Sequence, residues 1–290
     1  MVKYLNGKET KSKLQEKILK EIKNLAKDNM PILGILQVGN FEESNIYIKH
    51  KLNIAQSLGI KTEFIKLKEN ASEKEIKIAI KKLNKITTGF ILQLPLQTKK
   101  VKNTDKLLNY INPKKDIDGL GKTNQKSNYI KNEKSFIPAT ALGIILLLKD
   151  YNVDFINKEI GIVGQSKIVG KPLSNYLEQL GCKVRRYDIN TPKDDINLND
   201  ILIVATGARG CLDNISFKKS VILVDVGIHR LKNNSIVGDI NIDNINLDEV
   251  SLLTPVPGGI GPMTIIGLMI NLIKAYDIQN KTNLYKKIIN

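Results

Sequence analysis

The sequence predicts an α/β protein of two lobes, in which parallel sheets carry helices on their faces. Short apolar segments typical of buried strands alternate along the chain with segments of helical periodicity. The chain has 290 residues, enough for two domains that each bury their own core. Hydrophobic residues make up 42% of it and charged residues 26%, as in ordered, soluble globular proteins. We therefore expect two lobes with a cleft between them.

The first half reads as a helix followed by alternating strands and helices. Apolar residues recur at helical spacing over residues 11–28, and PILGILQVG then has the character of a short buried strand. A helix is predicted from Ser44 to Gly59, and KTEFIKL is the next strand. Ser72 and Glu75 form a capping box that opens a third helix, and the strand GFILQLPL is closed by Pro95. This alternation favours a parallel sheet.

The second half repeats this order as a nucleotide-type α/β domain. EIGIVGQSKIVGKPL reads as a strand, a glycine turn and the start of a helix, and the strands KVRRYD, ILIVAT and VILVDVG follow it. A helix over residues 140–150 is predicted to bridge the lobes, and an apolar helix from Met263 to Tyr276 is predicted after the last strand. We predict domains at residues 1–138 and 139–262, with residues 263–290 packing back onto the first.

The formal net charge is +16, which favours acidic partners such as nucleic acid, nucleotides or carboxylated substrates. Lys, Ile and Asn are abundant in every segment, however, so a general compositional bias explains the charge equally well. The charge alone therefore does not identify a partner.

The cysteines and the apolar segments indicate a cytoplasmic protein. Cys182 and Cys211 have neither CxxC spacing nor a nearby histidine, so we expect no disulfide framework and no metal site. The N-terminal MVKYLNGKETKSKL lacks the apolar core of a signal peptide. The runs ALGIILLL and IIGLMINLI fall short of the ~20 residues that cross a bilayer, so no membrane association is predicted.

The glycine turn of the second half is a candidate anion site. Gly164 ends a strand and Gly170 opens a helix, whose free N–H groups and dipole attract anions. The spacing is not GxGxxG, and it is one residue too long for a Walker loop. Lys171 is followed by Pro172, which has no hydroxyl for magnesium, so an NTPase is excluded.

The end of the next strand supplies groups that distinguish nicotinamide cofactors. Asp188 lies 24 residues after Gly164, near the distance expected of an acid on the adenosine ribose. Arg185 and Arg186 come just before it, and an arginine there could hold a ribose phosphate instead. These residues support NAD and NADP equally, and an ordinary charged strand end as well.

Five motifs in order resemble the bifunctional methylenetetrahydrofolate dehydrogenase/methenyltetrahydrofolate cyclohydrolase family. They are VGNFEESNIYIKHK, GFILQLPL, PKKDIDGL, VGQSKIVGKPL and TPVPGGIGPMT, and they extend over nearly the whole chain. The resemblance implies an N-terminal folate-binding catalytic lobe, a Rossmann-like cofactor lobe, and a homodimer. It also implies oxidation of methylenetetrahydrofolate with NAD(P), followed by hydrolysis of the methenyl product to formyltetrahydrofolate.

The resemblance also assigns catalytic residues. Tyr47 matches the substrate-stacking tyrosine and Lys51 the catalytic lysine, while Gln93 and Asp118 match the other two polar groups of that pocket. Residues four apart share a helical face, so Tyr47 and Lys51 point the same way and Lys49 does not. A lysine in a cleft loses its proton more readily than one in water, which suits Lys51 for proton transfer beside a cationic intermediate.

Further contacts follow from the same motifs. The resemblance places substrate contacts at Tyr47, Gln93, Leu94, Asp118, Pro257, Gly258 and Gly259. It places cofactor contacts at Gly164, Gln165, Ser166, Asp188, Ile189, Thr206, Gly207 and Ile228.

The cofactor half departs from the family pattern. Gln165 stands where the family often has arginine, Ile189 where it often has serine, and Asp188 where it often has histidine. NADP is the family default, and NAD is a second hypothesis that these three positions motivate.

Two other functions compete with this interpretation. A Rossmann dehydrogenase of another small acid does not account for Tyr47, Lys51, Gln93 and Asp118 together. A basic nucleic-acid-binding protein would need an RNA or DNA motif or aromatic stacking platforms, and only 5% of the residues are aromatic. We therefore predict a folate substrate and no nucleic-acid partner.

Overall fold

The computed structural model describes residues 2–290, apart from the side chain of Lys27. Within that range the β-strands are β1 (Lys3–Tyr4), β2 (Ile32–Val38), β3 (Lys61–Leu67), β4 (Gly89–Leu92), β5 (Glu159–Val163), β6 (Lys183–Tyr187), β7 (Ile201–Val204), β8 (Val221–Asp225), β9 (His229–Arg230), β10 (Ile236–Val237) and β11 (Val250–Leu253). The α-helices of the same range are α1 (Gly7–Ile22), α2 (Glu42–Ser57), α3 (Glu73–Ile86), α4 (Thr104–Leu108), α5 (Lys122–Gln125), α6 (Ala139–Asp150), α7 (Gly170–Gln179), α8 (Ile260–Asn280) and α9 (Leu284–Ile289).

The chain divides into two compact units, each built around one parallel sheet. The three-stranded unit contains residues 13–139 and 265–290, with strand order β3-β2-β4. The six-stranded unit contains residues 2–12 and 140–264, with strand order β1-β11-β8-β7-β5-β6. All neighbouring strands in these two sheets are parallel, as the alternation of strands and helices predicts.

The core of the three-stranded unit forms between its sheet and α3. The capping box predicted from Ser72 and Glu75 is present at the start of this helix. The helix buries Ile76, Ile80 and Leu83 at helical spacing, and these pack in one cluster with buried residues of β2 and β4. The central strand β2 is almost entirely buried, whereas most residues of β3 are exposed.

The N-terminal residues belong to the six-stranded unit, which departs from the predicted first domain at 1–138. The cause is a non-local pairing, because β1 lies parallel to β11 with Lys3 opposite Leu252. The start of α1 also packs closely there: a Cβ on Gly7 would overlap the carbonyl oxygen of Gly259. A short strand of two residues carries too little pattern to predict such a pairing.

The last long helix, α8, extends beyond the predicted Met263–Tyr276 at both ends. Its section from Ile265 onward belongs to the three-stranded unit. There Asn271 donates hydrogen bonds to the carbonyl oxygens of Ile117 (2.8 Å) and Ile137 (2.9 Å), which fix the helix on that unit.

Three further observations concern the whole described range. Of the helices in residues 2–290, none combines the length and the apolar character needed to cross a bilayer. Within the same range, no group of three or more His, Cys, Asp and Glu side chains is arranged to hold a metal ion. Cys182 and Cys211 are both free thiols.

Candidate active site

Lys51 is a buried lysine on α2. The helix turns Ser44, Ile48, Lys51 and Ala55 toward the interior, which is the spacing of one helical face. Only 7% of the Lys51 surface is exposed, whereas Lys49 is exposed. Lys51 therefore lies on the inward face of α2, and Lys49 lies on the face exposed to solvent.

The position of the Lys51 amine is fixed by Gln93. Lys51 Nζ donates a hydrogen bond of 2.8 Å to Gln93 Oε1. Gln93 follows β4, and its backbone N–H continues the ladder by donating to the carbonyl oxygen of Leu36 at 2.8 Å. Its side-chain Nε2 donates to the Leu94 carbonyl oxygen at 2.8 Å, so the amide cannot rotate freely. This leaves Oε1 directed at the lysine.

Lys51 and Asp118 influence each other's protonation. Burial lowers the pKa of Lys51 below the ordinary value of 10.5, and the negative charge of Asp118 partly opposes this. Burial raises the pKa of Asp118, and the positive charge of Lys51 partly opposes that. The lysine therefore gives up its proton more readily than a surface lysine.

Asp116, which the sequence analysis did not select, holds the segment that carries Asp118. It is 1% exposed and accepts hydrogen bonds from the backbone N–H of Gly121 (2.8 Å), from Asn124 Nδ2 (2.9 Å) and from Leu120 N–H (3.3 Å). Burial raises its pKa to about 6. The motif DIDG contains two aspartates. Only packing distinguishes buried Asp116, which supports the turn, from half-buried Asp118.

Tyr47 and Ser44 complete the face of α2 that carries Lys51. Tyr47 is half-buried one helical turn before Lys51, and burial raises the pKa of its hydroxyl. The Ser44 hydroxyl is buried and has no hydrogen-bond partner among the described residues. An unsatisfied buried hydroxyl is costly, so Ser44 is a further candidate for a ligand contact.

The predicted cofactor residues lie just after four neighbouring strands of the six-stranded sheet, which are β8, β7, β5 and β6. All these strands are parallel, so the residues after them lie at the carboxyl edge. The chain order reverses between β5 and β7, and ligands of such sheets bind at that switch point.

The glycine turn has the shape that an anion site needs. Gly164 has a φ of +98°, and a Cβ there would overlap the carbonyl oxygen of Ala205. A Cβ on Gly170, the first residue of α7, would overlap the carbonyl oxygen of Gly164. The turn therefore requires glycine at both positions, and it brings backbone to the start of a ten-residue helix. This geometry fits a dinucleotide phosphate.

Two predicted cofactor side chains in this turn contact the protein. Gln165 Nε2 donates to the Ile162 carbonyl oxygen at 3.0 Å, and Gln165 Oε1 accepts from the Ser174 hydroxyl at 3.3 Å. The Ser166 hydroxyl accepts from the Val169 N–H at 3.3 Å. Their backbone, not their side chains, is therefore the part suited to a ligand.

Asp188 and Ile189 lie in an exposed turn after β6. Asp188 Oδ1 accepts from Asn190 N–H and from the Thr191 hydroxyl, both at 2.8 Å, and these bonds lower the pKa of Asp188. Ile189 is 96% exposed. Both are accessible to a cofactor in this unit.

The two arginines before Asp188 are occupied by carboxylates. Arg185 pairs with Glu159 at 2.8 Å and with Asp195 at 3.1 Å. Arg186 makes a two-pronged pair with Glu178, at 2.8 and 2.5 Å. Their charges are therefore already compensated within the protein.

The remaining predicted contacts lie in three loops of the six-stranded unit. Thr206 and Gly207 follow β7 and are exposed, and Ile228 follows β8 and is half exposed. Pro257, Gly258 and Gly259 precede α8, and Gly258 has a φ of +116°. These three substrate candidates thus belong to a different unit from Tyr47, Lys51, Gln93, Leu94 and Asp118.

Known families match both parts of the chain. Residues 5–118 match the model of the tetrahydrofolate dehydrogenase/cyclohydrolase catalytic domain, and residues 138–280 match that of the NAD(P)-binding domain. The bifunctional protein FolD of Metamycoplasma arthritidis is 44% identical over 95% of this chain and 93% of its own length. The bifunctional protein FolD of Aquifex aeolicus is 38% identical over 95% of this chain and 96% of its own length.

A solved structure agrees with these sequence matches. The bifunctional FolD methylenetetrahydrofolate dehydrogenase/cyclohydrolase of Campylobacter jejuni aligns with a TM-score of 0.90 at 33% identity. The alignment covers 97% of this chain and 100% of that one. The predicted family, the predicted α/β fold and the nicotinamide-cofactor domain are confirmed. The chain belongs to the tetrahydrofolate dehydrogenase/cyclohydrolase family.

Proposed function

We propose that this chain oxidises methylenetetrahydrofolate to methenyltetrahydrofolate with NADP and hydrolyses that product to formyltetrahydrofolate. One observation carries the proposal: a buried lysine of lowered pKa, Lys51, is fixed by Gln93 and coupled to Asp118. Membership in the family supports both activities.

In the oxidation, the methylene carbon of the substrate loses a hydride and becomes the carbon of the methenyl cation. A bound nicotinamide cofactor would supply the hydride acceptor. The glycine turn with Gly164 and Ser166, together with the turn at Thr206 and Gly207, would hold the cofactor at the carboxyl edge of the six-stranded sheet. A charged ammonium beside the new cation would oppose its formation, so the lowered pKa of Lys51 favours this step.

In the hydrolysis, neutral Lys51 acts on the attacking water. A C–O bond forms at the methenyl carbon while Lys51 Nζ takes a proton from the water. The same amine then passes that proton to the folate nitrogen as its C–N bond breaks, and the remaining proton goes to solvent. Gln93 holds Nζ in place through both transfers.

The other pocket residues bind and orient folate. The Tyr47 ring stacks on the aminobenzoyl group, and the Asp118 carboxylate accepts hydrogen bonds from the amino end of the pterin. Leu94, Pro257, Gly258 and Gly259 supply further substrate contacts. The half-buried positions of Tyr47 and Asp118 support these roles.

NADP is the cofactor that we assign, and NAD is the alternative. Arg185 and Arg186 are paired with carboxylates, so a ribose phosphate must displace one pair or be held by backbone. The exposed carboxylate of Asp188 suits the free ribose hydroxyls of NAD. Steady-state kinetics with each cofactor distinguish the two.

A homodimer is the assembly that we infer, and the outer edge of β3 supports it. This seven-residue strand ends the sheet and has no strand partner on that side among the described residues. Phe64 on this strand is 43% exposed. Such an edge is normally covered. Sedimentation equilibrium should give twice the 32.5 kDa chain mass. We also infer a cytoplasmic location, which the two free thiols support.

The function is tested by following methenyl absorbance with wild type, Lys51→Ala and Lys49→Ala. Loss of the proton-transfer group should slow methenyltetrahydrofolate hydrolysis about 1000-fold in Lys51→Ala and remove most of the dehydrogenase activity. Lys49→Ala is the matched control, because Lys49 is exposed on the same helix and should change little. Hydrolysis at the normal rate by Lys51→Ala would show that the assignment is wrong.

A further inference from the structure

Asp239 is a buried carboxylate in the six-stranded unit that the reactions above do not use. Its side chain is 0% exposed. Its Oδ2 lies 2.7 Å from the Thr206 backbone nitrogen, 2.9 Å from the Gly207 nitrogen and 2.9 Å from the Thr206 hydroxyl. Its Oδ1 lies 2.7 Å from His229 Nε2. Four polar groups therefore converge on one carboxylate.

These groups come from two neighbouring loops at the carboxyl edge of the sheet. Thr206 and Gly207 follow β7, which borders the switch point, and His229 ends the loop after β8 that carries Ile228. Asp239 thus joins the loops that carry three of the predicted cofactor contacts.

The position of Asp239 is itself held by a second buried carboxylate. Asp225, the last residue of β8, accepts from the backbone N–H of Asp239, Gly227 and Ile240, each at 2.9 Å. A Cβ on Gly227 would overlap Asp239 Oδ1, and a Cβ on Gly238 would overlap Asp225 Oδ2. A side chain at either position would collide with one of these carboxylates, so the arrangement requires both glycines.

We propose that Asp239 is a positioning residue for the nicotinamide cofactor, acting through the Thr206–Gly207 turn and the loop that ends at His229. This inference rests on the proposed function and on the cofactor role predicted for Thr206, Gly207 and Ile228. Asp239 sets cofactor affinity without taking part in the chemistry at Lys51.

The replacements should have graded effects. Asp239→Ala removes the carboxylate that joins the two loops and leaves the backbone N–H groups of Thr206 and Gly207 without this acceptor. Asp239→Asn keeps one oxygen for Thr206 and Gly207 and turns its NH₂ group toward His229, whose ring can accept in one tautomer. Asp239→Asn therefore preserves part of the hydrogen bonding that joins the two loops.

The experiment measures NADP affinity by titration calorimetry and cyclohydrolase activity without cofactor. Kd should rise about tenfold in Asp239→Ala and about threefold in Asp239→Asn, with cyclohydrolase rates near wild type. Asp200→Asn is the matched control: Asp200 precedes β7 at the opposite edge of the sheet and accepts from Glu159 N–H at 2.9 Å. Its Kd should equal that of wild type.

The outcomes separate this inference from the proposed function. A wild-type Kd in Asp239→Ala, or a cyclohydrolase loss as large as the loss of affinity, would overturn the role of Asp239. If Asp239→Ala does not fold, Asp239→Asn decides in the same way. Calorimetry needs no turnover, so absence of dehydrogenase activity in the wild type would count against the proposed function alone.

Discussion

The two units build their candidate sites from different parts of the chain. In the three-stranded unit, the site consists of side chains: buried Lys51 donates a hydrogen bond to Gln93, and the charges of Lys51 and half-buried Asp118 shift each other's pKa. In the six-stranded unit it consists of backbone, with glycine turns at Gly164 and Gly170.

The difference follows from what each site has to do. Proton transfer needs an ionisable group whose pKa is moved by its surroundings. Holding a phosphate needs N–H groups and free space, and the charged side chains nearby, such as Arg185 and Arg186, instead pair with carboxylates. The comparison predicts that a side-chain change impairs the first site and an added methyl group impairs the second.

The largest effect in the cofactor unit is expected for Gly170→Ala. The methyl group overlaps the Gly164 carbonyl oxygen, so the turn must move. Dehydrogenase kcat/KM should fall about 100-fold, since displacements near 1 Å cost that much. Cyclohydrolase activity, measured without cofactor, should persist. Equal loss of both activities would contradict the separation of the two sites.

Asp118→Asn tests the electrostatic coupling between Asp118 and Lys51 in the three-stranded unit. The charge of Asp118 raises the pKa of Lys51, so its removal lowers that pKa further. Because the neutral amine is the active form, the rising limb of the cyclohydrolase pH profile should move to lower pH. The plateau rate should fall about tenfold, as one acceptor for the pterin becomes a donor. A limb that moves to higher pH would contradict this coupling.

Asp188→Asn gives the smallest expected effect. The exposed carboxylate disfavours a ribose phosphate, and asparagine can still accept from Asn190 N–H and so preserve the turn. The ratio of kcat/KM for NADP to that for NAD should rise about threefold, as expected for one exposed charge. An unchanged ratio would show that Asp188 does not distinguish the phosphorylated ribose of NADP from the free ribose of NAD.

Local patterns in the sequence predicted the elements that local forces determine. The capping box of Ser72 and Glu75 needs only neighbouring residues, and it forms as predicted. Helical spacing alone separated the faces of Lys49 and Lys51, and their burial differs accordingly. The family motifs then selected Lys51 from 45 lysines and arginines, which periodicity alone does not do.

Features that depend on distant residues were not predictable in this way. Residues 2–12 join the six-stranded unit because β1 pairs with β11, far along the chain. Asp116 and Asp239 acquire their roles from backbone groups that only the fold brings to them. The pairing of Arg186 with Glu178 likewise depends on how α7 packs beside β6.

NMR titration of labelled lysine shows whether Lys51 loses its proton readily in the folded enzyme. The signal is assigned by its absence from Lys51→Ala. The midpoint should lie below the ordinary lysine value of 10.5, because burial outweighs the charge of Asp118. A midpoint at or above 10.5 would contradict it.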